Sequence, residues 1–164
     1  MKINPWARRQ SRRALVQALY QWQMGGNPAS AVLQEFLDSD SLKKADRAFF
    51  SECFAAVVKC IDRTPNEETP VSVPIEEQLD PLFAELLDRQ VSELDQVERA
   101  ILRLGTFELK HRIDVPYRVV IDEYVELAKV FGAEESHKYI NAILDSVAKQ
   151  TRSAETAHDA IESK

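Results

Sequence analysis

Apolar residues recur every three or four positions along most of this chain, and proline or glycine interrupts them where helices must end. The first such stretch runs from about Trp6 to Met24, after Asn4 and Pro5, and Gly25-Gly26-Asn27-Pro28 stops it. A short second helix is expected from Ser30 to about Asp38, with Val32, Leu33, Phe36 and Leu37 at helical spacing. A long third one is expected from Asp40 or Ser41 through about Arg63. Its apolar set is Ala45, Phe49, Phe50, Cys53, Phe54, Val57, Val58 and Ile61. Residues 64–74 hold three prolines and two glutamates and read as a surface connection, the seam between two halves.

The second half predicts a helix from about Ile75 to Leu87. A strongly apolar one follows, carrying Leu94, Val97, Ala100, Ile101, Leu104, Phe107 and Leu109 and ending near His111-Arg112. Its apolar positions cover more than half the circumference, which places it at the centre of that half. Ile113–Tyr117 reads as a turn whose Pro116 can open the next helix at its first position, and that helix carries Val119 to Phe131 and stops at Gly132. The last begins around Glu134 to Ser136 and carries Tyr139, Ile140, Ile143, Leu144 and Val147. Beyond Gln150 only Ile161 interrupts charged and small residues, so a disordered tail is expected over 149–164. The expectation is an all-α domain over 1–148, with halves at 6–63 and 75–148 joined by 64–74.

Composition narrows the picture. At 164 residues with 45% hydrophobic positions, the chain is one domain or two small subdomains sharing a core. No window is apolar enough for a membrane span or a signal peptide, so a cytoplasmic protein without a membrane partner is expected. Cys53 and Cys60 are seven apart on a helical pattern. That is about 10 Å of rise, too far for a disulfide, and they read as buried thiols.

Charge is distributed unevenly. The first 34 residues contain Lys2, Arg8, Arg9, Arg12 and Arg13 and no acid, so a chain of net charge −6 carries −11 over the rest. Counting about 100° per residue from Arg8, the residues Ala14, Leu15, Ala18, Leu19 and Trp22 share one arc of the first helix. Arg9, Arg13 and Tyr20 cluster on the far side. Arginines beside an aromatic offer phosphate neutralisation and a stacking platform to single-stranded nucleic acid. A solvated basic helix end with its tyrosine packed on a neighbour fits the same pattern.

No catalytic constellation emerges. There is no glycine-rich phosphate loop, and His111, His137 and His158 are far apart, so no enzyme, metal or cofactor is expected. Asp122, Glu123 and Glu126 read as a solvated helix face. Glu98 interrupts an apolar sector and is either an internally paired acid or a contact for another protein. Glu135 and Tyr139 lie four apart on the last helix, a helix-opening acid beside a packing tyrosine on the plainest reading.

Four segments together resemble the NusB family of transcription antitermination factors. They are ALVQALYQWQ (Ala14 to Gln23) after the arginines, QVERAILR (Gln96 to Arg103), DVPY (Asp114 to Tyr117) and ELAKVFGAEESHKYIN (Glu126 to Asn141). The matching pieces run in order from about residue 7 to 148. The resemblance implies a seven-helix fold of two packed helical subdomains and a binding mechanism with no covalent chemistry. It implies pairing with NusE, a small-subunit ribosomal protein, on boxA-type single-stranded RNA of nascent ribosomal-RNA leaders. The pair would join RNA polymerase and other Nus factors. By position, the resemblance assigns RNA contacts to Arg8, Arg9, Arg12, Arg13, Tyr20, Glu135, Lys138 and Tyr139, and partner contacts to Tyr20 and Glu98. Glu135 stands where aspartate is familiar in the family, and Tyr139 where phenylalanine can stand. Four arginine contacts at about −0.7 each would lower log affinity by roughly 3 per decade of salt. The rival reading is a helical protein–protein adaptor that does not touch RNA. NusB-like domains also occur fused to RNA methyltransferases, but this chain has no room for that catalytic domain.

Overall fold

The computed structural model describes residues 3–61 and 73–162. All regular structure among them is helical, and the chain divides into two compact units, Met1–Gln78 and Leu79–Lys164. The connection expected at 64–74 lies outside the described residues except for Val73 and Pro74.

The first unit holds α1 (Pro5–Met24), α2 (Ala29–Leu37) and α3 (Arg47–Lys59). Asn4 opens α1 by accepting from the Ala7 amide at 3.1 Å, and Pro5 sits in the first turn, where a missing N–H costs nothing. Gly25 ends the helix at φ 92°, a conformation that suits glycine. Ala14, Leu15, Ala18, Leu19 and Trp22 are buried, as the helical count expects, and Val16 joins them. They meet a core of Phe49, Phe50, Cys53, Phe54 and Val57 from α3, with Phe50 stacked against both Phe36 and Phe54. Each such buried Leu or Phe contributes about 1.5–3 kcal/mol.

The third helix starts later than its apolar pattern suggests. Asp40–Leu42 form a 3-10 turn opened by Ser39, whose hydroxyl accepts from the Ser41 amide. Asp46 then caps α3 by accepting from the Phe49 amide at 3.0 Å. A side-chain acceptor at each of two points made two starts out of one periodic run.

The second unit holds α4 (Asp80–Ala84), α5 (Gln96–His111), α6 (Tyr117–Phe131), α7 (Ser136–Thr151) and α8 (Ser153–Glu162). Residues 100–109 of α5 are buried without exception, which puts that helix at the centre of the unit. Gly105 lets α7 pack close, since a Cβ there would lie 2.8 Å from the end of the Leu144 side chain, which would have to shift. Two polar groups inside this core are paired: Arg103 reaches Asp80 with two nitrogens at 2.9 and 2.8 Å, and the Tyr124 hydroxyl donates to Glu108. The helix expected over 75–87 is instead a 3-10 turn at Ile75–Glu77 and the short α4, with Gln78 extended between them. Pro81 has no N–H and fits only the first turn of a helix.

The expected tail at 149–164 is largely helical. α7 continues to Thr151, and α8 follows through Glu162. Its anchor is Arg152, 6% exposed, whose guanidinium donates to the carbonyls of Glu108, Leu109, Arg112 and Val115. It also meets Glu155 at 2.8 Å. Glu155 in turn accepts from the Tyr117 amide at 3.0 Å, serving the start of α6, where Pro116 has no capping side chain to offer. Eight α-helices therefore stand among the described residues where the resemblance implies seven.

Replacing Arg152 by alanine would leave the Leu109 and Val115 carbonyls without a donor, take a second donor from those of Glu108 and Arg112, and remove the cation beside Glu155. The expected loss is about 3–5 kcal/mol in urea-unfolding free energy, with faster amide exchange throughout α8. Arg118→Ala, which removes an exposed pair with Asp159 and a contact on the Tyr117 ring, should move the midpoint far less.

Candidate nucleic-acid interface

The first unit uses one aspartate to hold its arginines. Asp46 caps α3, its amide donates to Ala7 of α1 at 3.2 Å, and its carbonyl accepts from the Ser11 hydroxyl at 2.7 Å. Its other carboxylate oxygen lies 3.7 Å from Arg8 Nε. This fixes the first turns of α1 against the start of α3. The guanidiniums of Arg8 and Arg12 then lie over the Phe49 ring, at 4.5 and 5.0 Å from its centroid. Contacts of this length are cation–π interactions, and Arg12 is buried at 2% exposure.

The four arginines therefore divide. Arg9 and Arg13 are exposed and share their side of α1 with Tyr20, 38% exposed. Arg8 and Arg12 are packed against Phe49 rather than presented. Arg8 defines zero on the helical count and Arg12 falls near 40°, on either side of Leu19 at about 20°. The wheel that set Arg9 and Arg13 apart thus already held the reason for the division.

In the second unit, Tyr139 sits on the first turns of α7, beside the loop between α4 and α5. Its hydroxyl lies 3.5 Å from Asp88 Oδ1. Asp88 also accepts from Arg89 Nε at 2.9 Å, and the Arg89 guanidinium lies 5.8 Å from the centre of the Tyr139 ring. The hydrogen bond from Arg89 is the main reason the Asp88 carboxyl is held below its ordinary range. Burial, followed by the charge of Asp88, raises the Tyr139 phenol. A 3-10 turn follows at Val91–Glu93, and Arg99 ties it down by donating to Ser92 O at 2.9 Å and Leu94 O at 3.4 Å. Asp88 and Arg89 carried no sequence signal. They join Tyr139 only because α7 packs beside α4.

Glu135 and Lys138 form an exposed pair at 2.6 Å just before Tyr139. Glu135 has φ 72°, the one non-glycine residue at positive φ among the described residues. Such conformations cost energy and concentrate at functional sites. Glu98, half-buried on the first turn of α5, makes no hydrogen bond or close ion pair among the described residues. Burial and then the nearby Asp95 raise its carboxyl, while Arg89 acts the other way. Of the two readings of Glu98, internal pairing is not what the fold provides. Cys53 is buried, Cys60 is half-buried and no disulfide joins them, and no group of three metal-ligating side chains occurs among the described residues. No described helix is long and apolar enough to cross a membrane.

A family model described as the NusB family matches residues 74–149. Among curated proteins, the transcription antitermination protein NusB of Alcanivorax borkumensis is 49% identical over 94% of this chain and 93% of its own length. The protein of the same name from Pectobacterium carotovorum is 45% identical over 92% and 97%. Among solved structures, T. maritima NusB superposes with a TM-score of 0.67 at 29% identity, covering 91% of this chain and 93% of the other. A structure of NusB and NusE in complex with double-stranded RNA gives 0.71 at 23% identity, over 88% and 98%, a likeness of fold.

The Glu98 environment generates a pH prediction. A carboxyl whose pKa is higher in the folded state stabilises the fold below its unfolded value, and that gain is lost as pH rises through the folded value. At neutral pH the charge on Glu98 is therefore a small burden. Glu98→Gln should raise stability at pH 7 by less than about 0.5 kcal/mol, the group being largely screened by water. Urea unfolding should show that gain vanish near pH 3. A loss of stability at pH 7 would mean that Glu98 is paired after all.

Proposed function

This chain belongs to the NusB family, and we propose that it works as an RNA-binding transcription antitermination factor. With NusE it binds boxA-type single-stranded RNA in nascent ribosomal-RNA leaders and joins the elongation complex of RNA polymerase and other Nus factors. It acts in the cytoplasm by binding alone, without catalysis or cofactor. The observation that carries this reading is the exposed face of α1, where Arg9, Arg13 and Tyr20 stand together in a stretch without acids.

Each group has a distinct part. Arg9 and Arg13 neutralise phosphates, and Tyr20 adds an aromatic surface on the same face, for RNA or for NusE. Arg8 and Arg12 act through Phe49 and Asp46, keeping the helix that bears the other two in place. Tyr139 stacks on an unpaired base, and Lys138 meets a phosphate once it leaves Glu135. Glu98 receives a basic group of NusE, because a half-buried carboxylate lacking its own partner gains most from one supplied by another protein.

With two presented arginines rather than four, the salt dependence traceable to α1 is about −1.4 in log–log slope. Fluorescence anisotropy of labelled boxA RNA, with and without purified NusE and against scrambled and duplex RNA, tests the reading. Tighter, sequence-dependent binding with NusE is expected. Arg9→Ala with Arg13→Ala should weaken binding and flatten the slope by about 1.4. Capture of NusE with no RNA binding by the unmodified protein would instead favour the adaptor reading.

A further inference from the structure

The loop between α4 and α5 carries an arginine, Arg89, over the ring of Tyr139. We propose that Arg89 and Tyr139 form a clamp that takes one unpaired RNA base between guanidinium and phenol, with Asp88 as the latch that sets the arginine's resting position. This rests on the RNA-binding reading above and adds a nucleotide subsite to it.

The distance between guanidinium and ring is already close to what a sandwich needs. A base between two flat groups needs about 3.5 Å on each side, so roughly 7 Å from ring to guanidinium. The resting separation is 5.8 Å, so the arginine must withdraw by about 1 Å. What holds it is the pair with Asp88, whose two side chains are 45% and 69% exposed, and pairs so open to water yield readily. Tyr139 is held by its packing, being half-buried, while its hydroxyl lies 3.5 Å from Asp88, too long for a firm hydrogen bond. Arg99 fixes the turn that follows, so the arginine can swing while its backbone stays in place.

Charge explains why the ligand is a base rather than a phosphate. Asp88 cancels most of the local charge of Arg89, so the pair offers little attraction to a polyanion at a distance. It offers two planar faces, and a guanidinium stacks on an aromatic base much as it stacks on the tyrosine ring. Such a contact adds affinity that barely depends on salt, unlike the phosphate contacts of Arg9 and Arg13.

That difference supplies the test. The full chain with NusE is titrated into boxA RNA across a salt series as wild type, Arg89→Ala, Arg89→Lys and Arg9→Ala/Arg13→Ala. Thermal midpoints confirm that each variant is folded. Arg89→Ala should weaken binding about 5- to 30-fold with the salt slope unchanged. Arg89→Lys, which keeps the charge but loses the plane, should recover little of it. With 2-aminopurine placed at successive RNA positions, one position should report stacking that both Arg89→Ala and Tyr139→Ala abolish. Wild-type affinity in Arg89→Ala overturns the clamp. Full rescue by lysine, or a slope lowered by about 0.7 in Arg89→Ala, makes Arg89 a phosphate contact and overturns it equally. Weaker NusE capture with unchanged RNA affinity would assign Arg89 to the protein partner instead. Failure of the wild type to bind RNA at all would remove the underlying reading, and the clamp with it.

Discussion

A guanidinium can leave water only if its fork of donors finds acceptors, and in the second unit that condition fixes where four segments meet. Arg152 takes the Leu109 carbonyl that α5 leaves unsatisfied at its end, adds a second donor to the carbonyls of Glu108 and Arg112, and meets the carbonyl of Val115 in the following turn and Glu155 of α8. Glu155 passes the constraint on to the first amide of α6. One buried charge thus closes the end of one helix, the start of another and the seat of a third. The geometry is demanding, because lysine has no planar fork with which to copy it. α5 holds Glu98 at its opposite end, and α7 carries Tyr139. The presented side chains are therefore mounted on helices whose far ends this network pins.

The first unit reaches the same end through an acid. Asp46 has no neighbour in the sequence that marks it out, yet it caps α3, bonds α1 twice through its backbone and faces Arg8. Two of the four arginines are thereby drawn onto Phe49, leaving Arg9 and Arg13 outward. Basic clusters read from sequence treat every arginine as available. Here half of the cluster is spent on holding the helix that displays the other half.

Helix existence was legible in this chain because apolar spacing dictates it, and the burial of α5 followed from the breadth of its apolar arc. Boundaries at residues 40–46 and 75–84 were not, because Ser39, Asp46 and Pro81 act locally and leave the hydrophobic period untouched. α8 was missed for a related reason. Its anchors are Arg152, Glu155 and Asp159, and its large apolar residue, Ile161, is exposed. A helix held by polar groups has no apolar stripe to read. At the candidate interface, the outward face of Arg9, Arg13 and Tyr20 could be counted from the sequence. The meeting of Arg89 with Tyr139, fifty residues apart, could not, since only the packing of α7 beside α4 creates it.

On the proposed reading an acidic chain must bind RNA, a problem of sign that the arrangement of charge answers only in part. At cellular salt, fields fade over about 8–10 Å, so the acids elsewhere in the chain matter less to a bound phosphate than the arginines beside it. Two presented arginines and one or two stacked bases still amount to little. A stacked base adds about 1–3 kcal/mol, while even a millimolar Kd needs about 4. On the proposed reading, a second protein is therefore a physical requirement of the mechanism. A basic partner docked at Glu98 relieves a half-buried charge and brings its own RNA contacts alongside. The two sets of contacts then act at high effective concentration, which multiplies affinities that are each too weak alone. The acidic body discourages RNA held by charge alone, so tight binding is reserved for RNA that engages both proteins.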